Sequence, residues 1–167
     1  MHAGQIEMLQ RMPIFGAIRE DVLVFLLDHA QHRRLTGGEA FFREGDPGDR
    51  MFVLETGRAS VVKGWQGSAV LLHHLEPGDC FGEMALMDLY PRSATVIALV
   101  DSSAVELTPQ SLAALFERDV EQFALIQMNI GREVCRRLRA ADERLFRIRM
   151  GEAVDAPGAA ASPADPA

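Results

Sequence analysis

Glu83 and Arg92 are the two residues whose types and positions first suggest chemistry. They lie nine positions apart in the stretch CFGEMALMDLYPRSATV (residues 80–96), in which most other residues are apolar or small. Charged side chains are almost never fully buried unless they are paired. Each of the two therefore needs a partner, which is either the other member of the pair or a ligand.

Arg92 and the segment before it have the features of a phosphate site. Arginine offers planar, forked N–H donors that match two phosphate oxygens at once. Residues 83–86 can form a single helical turn, and the first backbone N–H groups of such a turn are unsatisfied and attract anions. Gly82 permits close approach of the backbone, and Pro91 stiffens the return of the chain toward Arg92. The stretch therefore predicts an anion-binding loop.

Glu83 places a second requirement on the ligand. An ionised carboxylate only accepts hydrogen bonds, so Glu83 would repel a phosphate and must serve hydroxyl donors nearby. A sugar hydroxyl beside a phosphate meets both demands. The alternative is a structural ion pair between Glu83 and Arg92 that closes the loop without a ligand.

The other reactive side chains suggest neither catalysis nor a metal site. His73 and His74 are adjacent on a predicted strand, so they point to opposite faces and cannot easily chelate one ion. The Asp-Ser-Ser segment at 101–103 has no nucleophile elbow around it. Cys80 and Cys135 belong to no paired spacing, and we interpret them as packed thiols. We predict that the protein is not an enzyme and holds no metal.

The composition is that of one globular domain in the cytoplasm. The chain has 167 residues, of which 48% are hydrophobic and 25% charged. A formal charge of −7 argues against non-specific binding to nucleic acid or to an anionic membrane. The longest early apolar run, VLVFLL at residues 22–27, is too short for a membrane span, and we expect no signal peptide before it. An anionic ligand would therefore need a local site.

The elements that must position Glu83 and Arg92 are mostly strands. The first 35 residues or so are predicted to be helical, because residues 19–30 carry one apolar face. From residue 33 to residue 107, short β-prone runs alternate with Gly, Pro and Asp turns at roughly ten-residue spacing. This pattern predicts a mainly β fold, an eight-stranded jelly-roll barrel with flanking helices.

Two helices are predicted after the barrel. Thr108 and Pro109 are a typical N-cap and first helical residue, and this short helix should run to about Glu117. A long C-terminal helix should follow from about Val120 to Met150. Eight residues of this helix, mostly small or apolar, follow one another at alternating spacings of three and four and form a seam along one side. Such a seam favours a homodimer, and the alternative is that the helix packs along the domain's own barrel. That seam consists of Ala124, Gln127, Gly131, Val134, Leu138, Ala141, Leu145 and Ile148. The folded domain would span residues 1–150, and the Ala/Pro-rich tail at 151–167 is predicted to be disordered.

The stretch GEMALMDLYPRSATV resembles the phosphate-binding cassette of the cyclic nucleotide-binding domain family. That family includes bacterial catabolite activator-type regulators, regulatory subunits of cyclic AMP-dependent kinase and cyclic nucleotide-gated channels. Its cassette has the approximate pattern Phe-Gly-Glu-(Leu/Ile/Met)-Ala-Leu, a short loop, then Pro-Arg-(Ser/Ala/Thr)-Ala-Thr-Val, and each part is present here in order. The likeness extends over about residues 8–148, including FFREGDPGDRMFVLETGRASVV upstream.

The resemblance implies a role for each matching residue. Arg92 would clamp the cyclic phosphate, and Glu83 would bind the ribose 2′-hydroxyl. Ser93 would add a hydroxyl near the phosphate or the purine, which favours cyclic AMP while leaving cyclic GMP possible. The remaining ligand-binding residues are implied to be Gly82, Met84 and Ala85 in the turn, with Val61 and Leu72 as weaker candidates for the apolar wall around the base. The side chain of Met84, like that of Met87, is expected to pack under the cassette.

Two departures from catabolite activator-type regulators bear on function. The Thr-Ser pair that contacts adenine in those proteins corresponds to Ala141 and Asp142 here. We expect no winged helix-turn-helix after the long helix and no basic stripe to replace it, so direct DNA binding is not expected. The predicted function is therefore cyclic nucleotide sensing, relayed through the long helix to an unidentified protein effector. The alternatives are a ligand-free dimeric scaffold and a Crp/Fnr-like transcription regulator that acts through a partner.

Overall fold

The computed structural model describes residues 3–151 and contains eight strands flanked by helices at both ends. The N-terminal part comprises α1 (Ala3–Gln10), a 3-10 turn (Pro13–Phe15) and α2 (Glu20–His29). The strands are β1 (Gln31–Leu35), β2 (Ala40–Phe42), β3 (Met51–Thr56), β4 (Ala59–Trp65), β5 (Ser68–Leu75), β6 (Cys80–Phe81), β7 (Thr95–Ala98) and β8 (Ser102–Leu107). A short helix, α3 (Glu83–Asp88), joins β6 to β7, and α4 (Pro109–Arg118) and α5 (Val120–Arg149) follow β8. The tail predicted to be disordered lies, from residue 152 onward, outside the described residues.

The strands form two antiparallel sheets of four, in the orders β1-β8-β3-β6 and β2-β7-β4-β5. Side chains from both sheets meet in one interior cluster, which includes Phe41, Phe52, Val61, Phe81 and Val96. Alternate residues of β3 and β8 face outward instead and join a second cluster with the helices. The predicted jelly-roll barrel with N-terminal helices and a long C-terminal helix is confirmed.

One predicted helical segment is a strand. Residues Gln31–Leu35 pair along their whole length with β8, from Gln31 opposite Glu106 to Leu35 opposite Ser102. This segment has no apolar helical face, because four of its five residues are polar, and the pairing with a strand some 70 residues away supplies its hydrogen bonds. The neighbouring helix α2 agrees with the predicted range 19–30.

Side-chain caps define the starts of α4 and α5. Thr108 accepts a hydrogen bond from the Ser111 backbone N–H while the Ser111 hydroxyl accepts one from the Thr108 N–H, and Pro109 is the first helical residue, as predicted. Asp119 caps α5 by accepting from the backbone N–H of Gln122. The short connection at Asp119 brings α5 back against the domain.

Helix α5 has two halves with different surroundings. The first half packs on the domain through Ile126 and Ile130, whereas every residue from 135 to 150 is exposed. Cys135 is among these exposed residues, so its predicted packing is wrong, while Cys80 is buried as predicted. Residues 132–149 carry seven arginines against three carboxylates, a net charge of +4, so the expectation of no basic stripe also fails for this helix. Among residues 3–151, no helix is both long and apolar enough to cross a membrane.

Candidate functional site

The loop that holds Glu83 and Arg92 is built around two left-handed residues. Gly82, at φ 80°, ends β6 and starts α3, and Leu89, at φ 59°, ends α3. A Cβ on Gly82 would lie 2.8 Å from a guanidinium nitrogen of Arg92, so this position needs glycine for space as well as for conformation. The single helical turn predicted at residues 83–86 is confirmed as the start of α3.

Arg92 is a buried cation, with only 5% of its surface exposed. Its Nη1 donates to the carbonyl oxygen of Gly82 and its Nη2 to that of Arg50, each at 2.9 Å. The guanidinium carbon lies 4.1 Å from the centre of the Phe42 ring. Its Nε is buried and has no hydrogen-bond partner in the described structure. Burial lowers the pKa of Arg92, against the opposing charge of Asp49, because the low-dielectric surroundings disfavour the charged form.

Glu83 is also buried, at 2% exposure, but its partner is a residue of α5. Arg137 Nη1 donates to the Glu83 carboxylate, and Arg137 Nη2 donates to the Cys80 carbonyl oxygen at 3.1 Å. Within residues 3–151, Glu83 and Arg92 form no ion pair with each other. The alternative interpretation, a structural ion pair between these two residues, is therefore wrong. Burial disfavours the charged form of Arg137, but the charges of Glu83 and Glu133 help to keep its pKa above the ordinary arginine value.

Sequence reasoning did not find Arg137. The need of a buried Glu83 for a cation was a signal, but seven arginines lie between residues 132 and 149 and nothing local distinguishes one of them. Gly48 was missed too, because its importance depends on the loop between β2 and β3 lying directly against the cassette. A Cβ on Gly48 would lie 2.6 Å from the Cβ of Ala85.

A cavity of about 530 Å³ lies between β5 and α5, next to Glu83's partner. Leu72 lines it from β5, at a bulge where the pairing with β4 shifts by one residue. Ala141 lines it from α5, together with Arg144. The other described residues that line this cavity are His73, His74, Leu75, Asp79, Glu133, Arg137 and Ala140. The cavity thus places Leu72, one of the two residues predicted to form the wall around a base, opposite α5.

The remaining predicted residues have varied positions. Val61 is buried inside the barrel, opposite His73 on β5, and it is not among the residues that line the cavity. Ser93 is exposed, and its carbonyl oxygen accepts a hydrogen bond from Lys63 at 2.7 Å. The side chain of Met84 is 48% exposed, so the expectation that it packs under the cassette is wrong, and the same holds for Met87.

The two adjacent histidines have different surroundings. Burial and the positive charge of Arg137 lower the pKa of His73, which keeps its imidazole neutral over a wider pH range. The Nδ1 of His74 is buried without a hydrogen-bond partner in the described structure. Among the residues with described positions, no group of three or more His, Cys, Asp or Glu side chains is arranged to hold a metal ion.

Chemically, this arrangement can bind an anion next to a hydroxyl group. A buried guanidinium retains an unused N–H beside a short helix that begins with unsatisfied backbone N–H groups. A carboxylate at the first position of that helix supplies an acceptor. The cavity beside α5, which Arg137 lines and Arg92 does not, offers room for an uncharged group.

Comparison with known proteins finds a matching family model and several relatives. The family model described as the cyclic nucleotide-binding domain matches residues 32–119. The cyclic AMP receptor protein of Thermus thermophilus is 30% identical over 144 residues, covering 84% of this chain and 64% of that protein. A cAMP-dependent protein kinase regulatory subunit of Dictyostelium discoideum is 34% identical over 108 residues, covering 62% of this chain and 33% of that protein.

A solved structure gives the same result. The crystal structure of the Thermus thermophilus catabolite activator protein superimposes with a TM-score of 0.73 at 29% identity, covering 82% of this chain and 63% of that one. The chain thus spans less than two thirds of the length of these relatives.

Proposed function

The chain belongs to the cyclic nucleotide-binding domain family, and on that basis we propose that it is a regulatory sensor of cyclic AMP. Binding of the ligand would be relayed through α5 to a protein partner. Its relatives, by name, are a cyclic AMP receptor and a regulatory subunit of a cyclic AMP-dependent kinase. The donors around Arg92, the carboxylate of Glu83 and the cavity beside α5 support this proposal.

The burial of Arg92 carries the proposal. No carboxylate of residues 3–151 forms an ion pair with this guanidinium, and its Nε has no partner there. A buried charge without a counter-ion is costly, and so is a buried N–H without an acceptor. The cyclic phosphate carries one negative charge and acceptor oxygens, so it removes both costs at once.

The other residues take roles around that anchor. Glu83 would accept the ribose 2′-hydroxyl, and Gly82, Met84 and Ala85 would surround the phosphate and ribose with their backbone. Leu72 would contact the base in the cavity beside α5, and Val61 would support that wall from inside the barrel. Ser93 would add a polar contact at the phosphate.

The bond between Glu83 and Arg137 supports the proposed relay. A ligand hydroxyl that binds Glu83 would share this carboxylate with Arg137, and so would change the strength of the only described ion pair between the cassette and α5. Ligand can shift such an equilibrium only by its differential affinity for the two arrangements of the helix. We therefore expect α5 to change its position on binding, and the exposed half of α5 to transmit that change to a second copy or to an effector.

The test is isothermal titration of the full chain with cyclic AMP and, separately, with cyclic GMP. Arg92→Ala should lose about 2–5 kcal/mol of binding free energy, because it removes one member of a desolvated charge pair. Arg139→Ala, which removes an exposed arginine of α5, is the matched control and should bind like the wild type. Tighter binding of cyclic GMP would correct the base preference alone. The absence of heat with either nucleotide, with an unshifted melting temperature, would reject the sensor and favour the ligand-free scaffold.

A further inference from the structure

Glu106 is a carboxylate inside the barrel that the proposed binding site does not use. It lies on β8, between Val105 and Leu107, and only 4% of its surface is exposed. Its described partner is Arg50, whose Nη1 donates to Glu106 Oε1. An ionised carboxylate in such a place is costly unless it is paired, so the ion pair holds the Arg50 side chain against β8.

Arg50 also contacts the anion site, but through its backbone. It directly precedes β3, and its carbonyl oxygen accepts the hydrogen bond from Arg92 Nη2 at 2.9 Å. Its side chain is held a second time by Asp49, whose carboxylate accepts from Arg50 Nε at 2.7 Å. The position of one of the two carbonyl groups that orient Arg92 therefore depends on where the Arg50 side chain is anchored.

A cavity of about 430 Å³ lies beside the Arg50 side chain and leaves it space to move. Arg50, Glu106 and Arg92 all line it, together with Phe42 and Phe52. This space would let the loop between β2 and β3, and Arg92 with it, shift if the side chain of Arg50 were released. Side chains that must hold a geometry need support from a second set of contacts of this kind.

We propose that Glu106 is a positioning residue for recognition of the phosphate: through its ion pair with Arg50 it fixes the carbonyl group that aims Arg92. This inference rests on the proposed function, since it concerns the same anion site. It assigns a binding role to a β8 residue that does not belong to the cassette and does not touch the ligand.

The experiment compares cyclic AMP affinity by isothermal titration in four single variants, and in Arg92→Lys combined with Glu106→Gln or with Arg50→Met. Glu106→Gln keeps the size of the side chain and removes its charge, and Arg50→Met keeps the carbonyl group and removes the anchor. Each should weaken binding about tenfold, within the range of couplings between contacting residues. Arg58→Met is the matched control, because Arg58 also has an exposed ion pair, with Glu76, and a carbonyl oxygen that accepts a side-chain hydrogen bond. It should bind like the wild type.

The fourth variant, Arg92→Lys, separates positioning from general stability. A lysine cannot make the same pair of hydrogen bonds to two carbonyl groups, so adding Glu106→Gln to Arg92→Lys should change affinity less than twofold, against tenfold in the wild type. An equal loss in both backgrounds would overturn the proposal, as would unchanged binding in both Glu106→Gln and Arg50→Met. Failure of the wild type to bind at all would instead reject the proposed function. If Glu106→Gln fails to fold, the same comparison is made with Arg50→Met, by measuring its loss of affinity in the wild type and in the Arg92→Lys variant.

Discussion

At the scale of single residues, the proposed anion site has a glycine from a separate loop packed directly against it. Gly48 lies between β2 and β3, and a Cβ built on it would lie 2.6 Å from Ala85 Cβ and 2.7 Å from Arg92 Nε. Neither contact is possible without movement, and the Ala85 contact involves a short side chain fixed to its backbone. We expect Gly48→Ala to weaken cyclic AMP binding about tenfold or more and to cost about 1–3 kcal/mol of stability from overpacking.

Titration calorimetry and urea unfolding would measure both effects of Gly48→Ala. Gly4→Ala is the control, because a Cβ on Gly4 meets no atom within 4 Å. Unchanged affinity in Gly48→Ala would mean that the loop can move away without disturbing Arg92.

The identity of the central residues could be predicted from sequence, but their partners could not. Glu83 and Arg92 stand out locally, because charges in an apolar stretch with Gly and Pro at turn positions have few explanations. Their contacts are distant along the chain: Arg92 donates to a residue 42 positions away, and Arg137 donates to Glu83 from 54 positions away. Such pairs are determined by the folding of the barrel and of α5, which no local pattern encodes.

At the scale of elements, α5 is attached to the cassette by the ion pair between Arg137 and Glu83. Removing Arg137 would leave a carboxylate with 2% exposure without its cation. We expect Arg137→Met to cost about 1–3 kcal/mol, less than for a fully buried pair because the Arg137 side chain is 42% exposed. Urea unfolding would measure the loss.

The neighbouring residue provides a control for that substitution. Arg136 is likewise on α5, and its ion pair among residues 3–151 is with Glu133 of the same helix, so Arg136→Met should stay within about 0.5 kcal/mol of the wild type. Equal losses in the two variants would mean that the contact between α5 and the cassette adds no stability of its own.

Elements with a strong local sequence signal could be predicted, whereas strand β1, which has no such signal, could not. The apolar face of α2 and the capping residues of α4 are local signals, and both predictions hold. The polar strand β1 has no such signal, since its pairing with β8 is what makes it a strand. The jelly roll itself was predictable because turn residues recur between its strands.

At the scale of the whole molecule, we expect the exposed half of α5 to pack on a partner surface. An isolated helix of about 15 residues is marginal in water, and Leu138, Leu145 and Ile148 of the predicted seam are each about half exposed or more. We predict a homodimer through this seam, with a mass in light scattering near twice 18.4 kDa. Leu145→Lys should give a monomer, because it places a charge in the apolar contact.

Phe146→Lys tests whether the seam, and not general hydrophobicity, holds the dimer. Phe146 is 59% exposed on the same helix but lies outside the seam, so this variant should remain dimeric. A monomeric wild type would leave the exposed half of α5 to a different protein partner.

The arginines of α5 also have a consequence for the rate at which ligand arrives. Residues 132–149 have a net charge of +4. Since the whole chain has a net charge of −7, the remaining residues together carry −11. The molecule is therefore an electric dipole, and Arg137 and Arg144 at the mouth of the cavity lie on its positive side. An anionic nucleotide should be drawn in by this local field although the protein as a whole repels it.

Added salt would show which field controls the encounter. If the local field does, the association rate constant of cyclic AMP in stopped-flow experiments should fall as ionic strength rises, whereas repulsion by the net charge of −7 would make it increase. A rate constant that falls with added salt would mean that this protein, despite its acidic isoelectric point, attracts an anionic ligand electrostatically as a basic protein does.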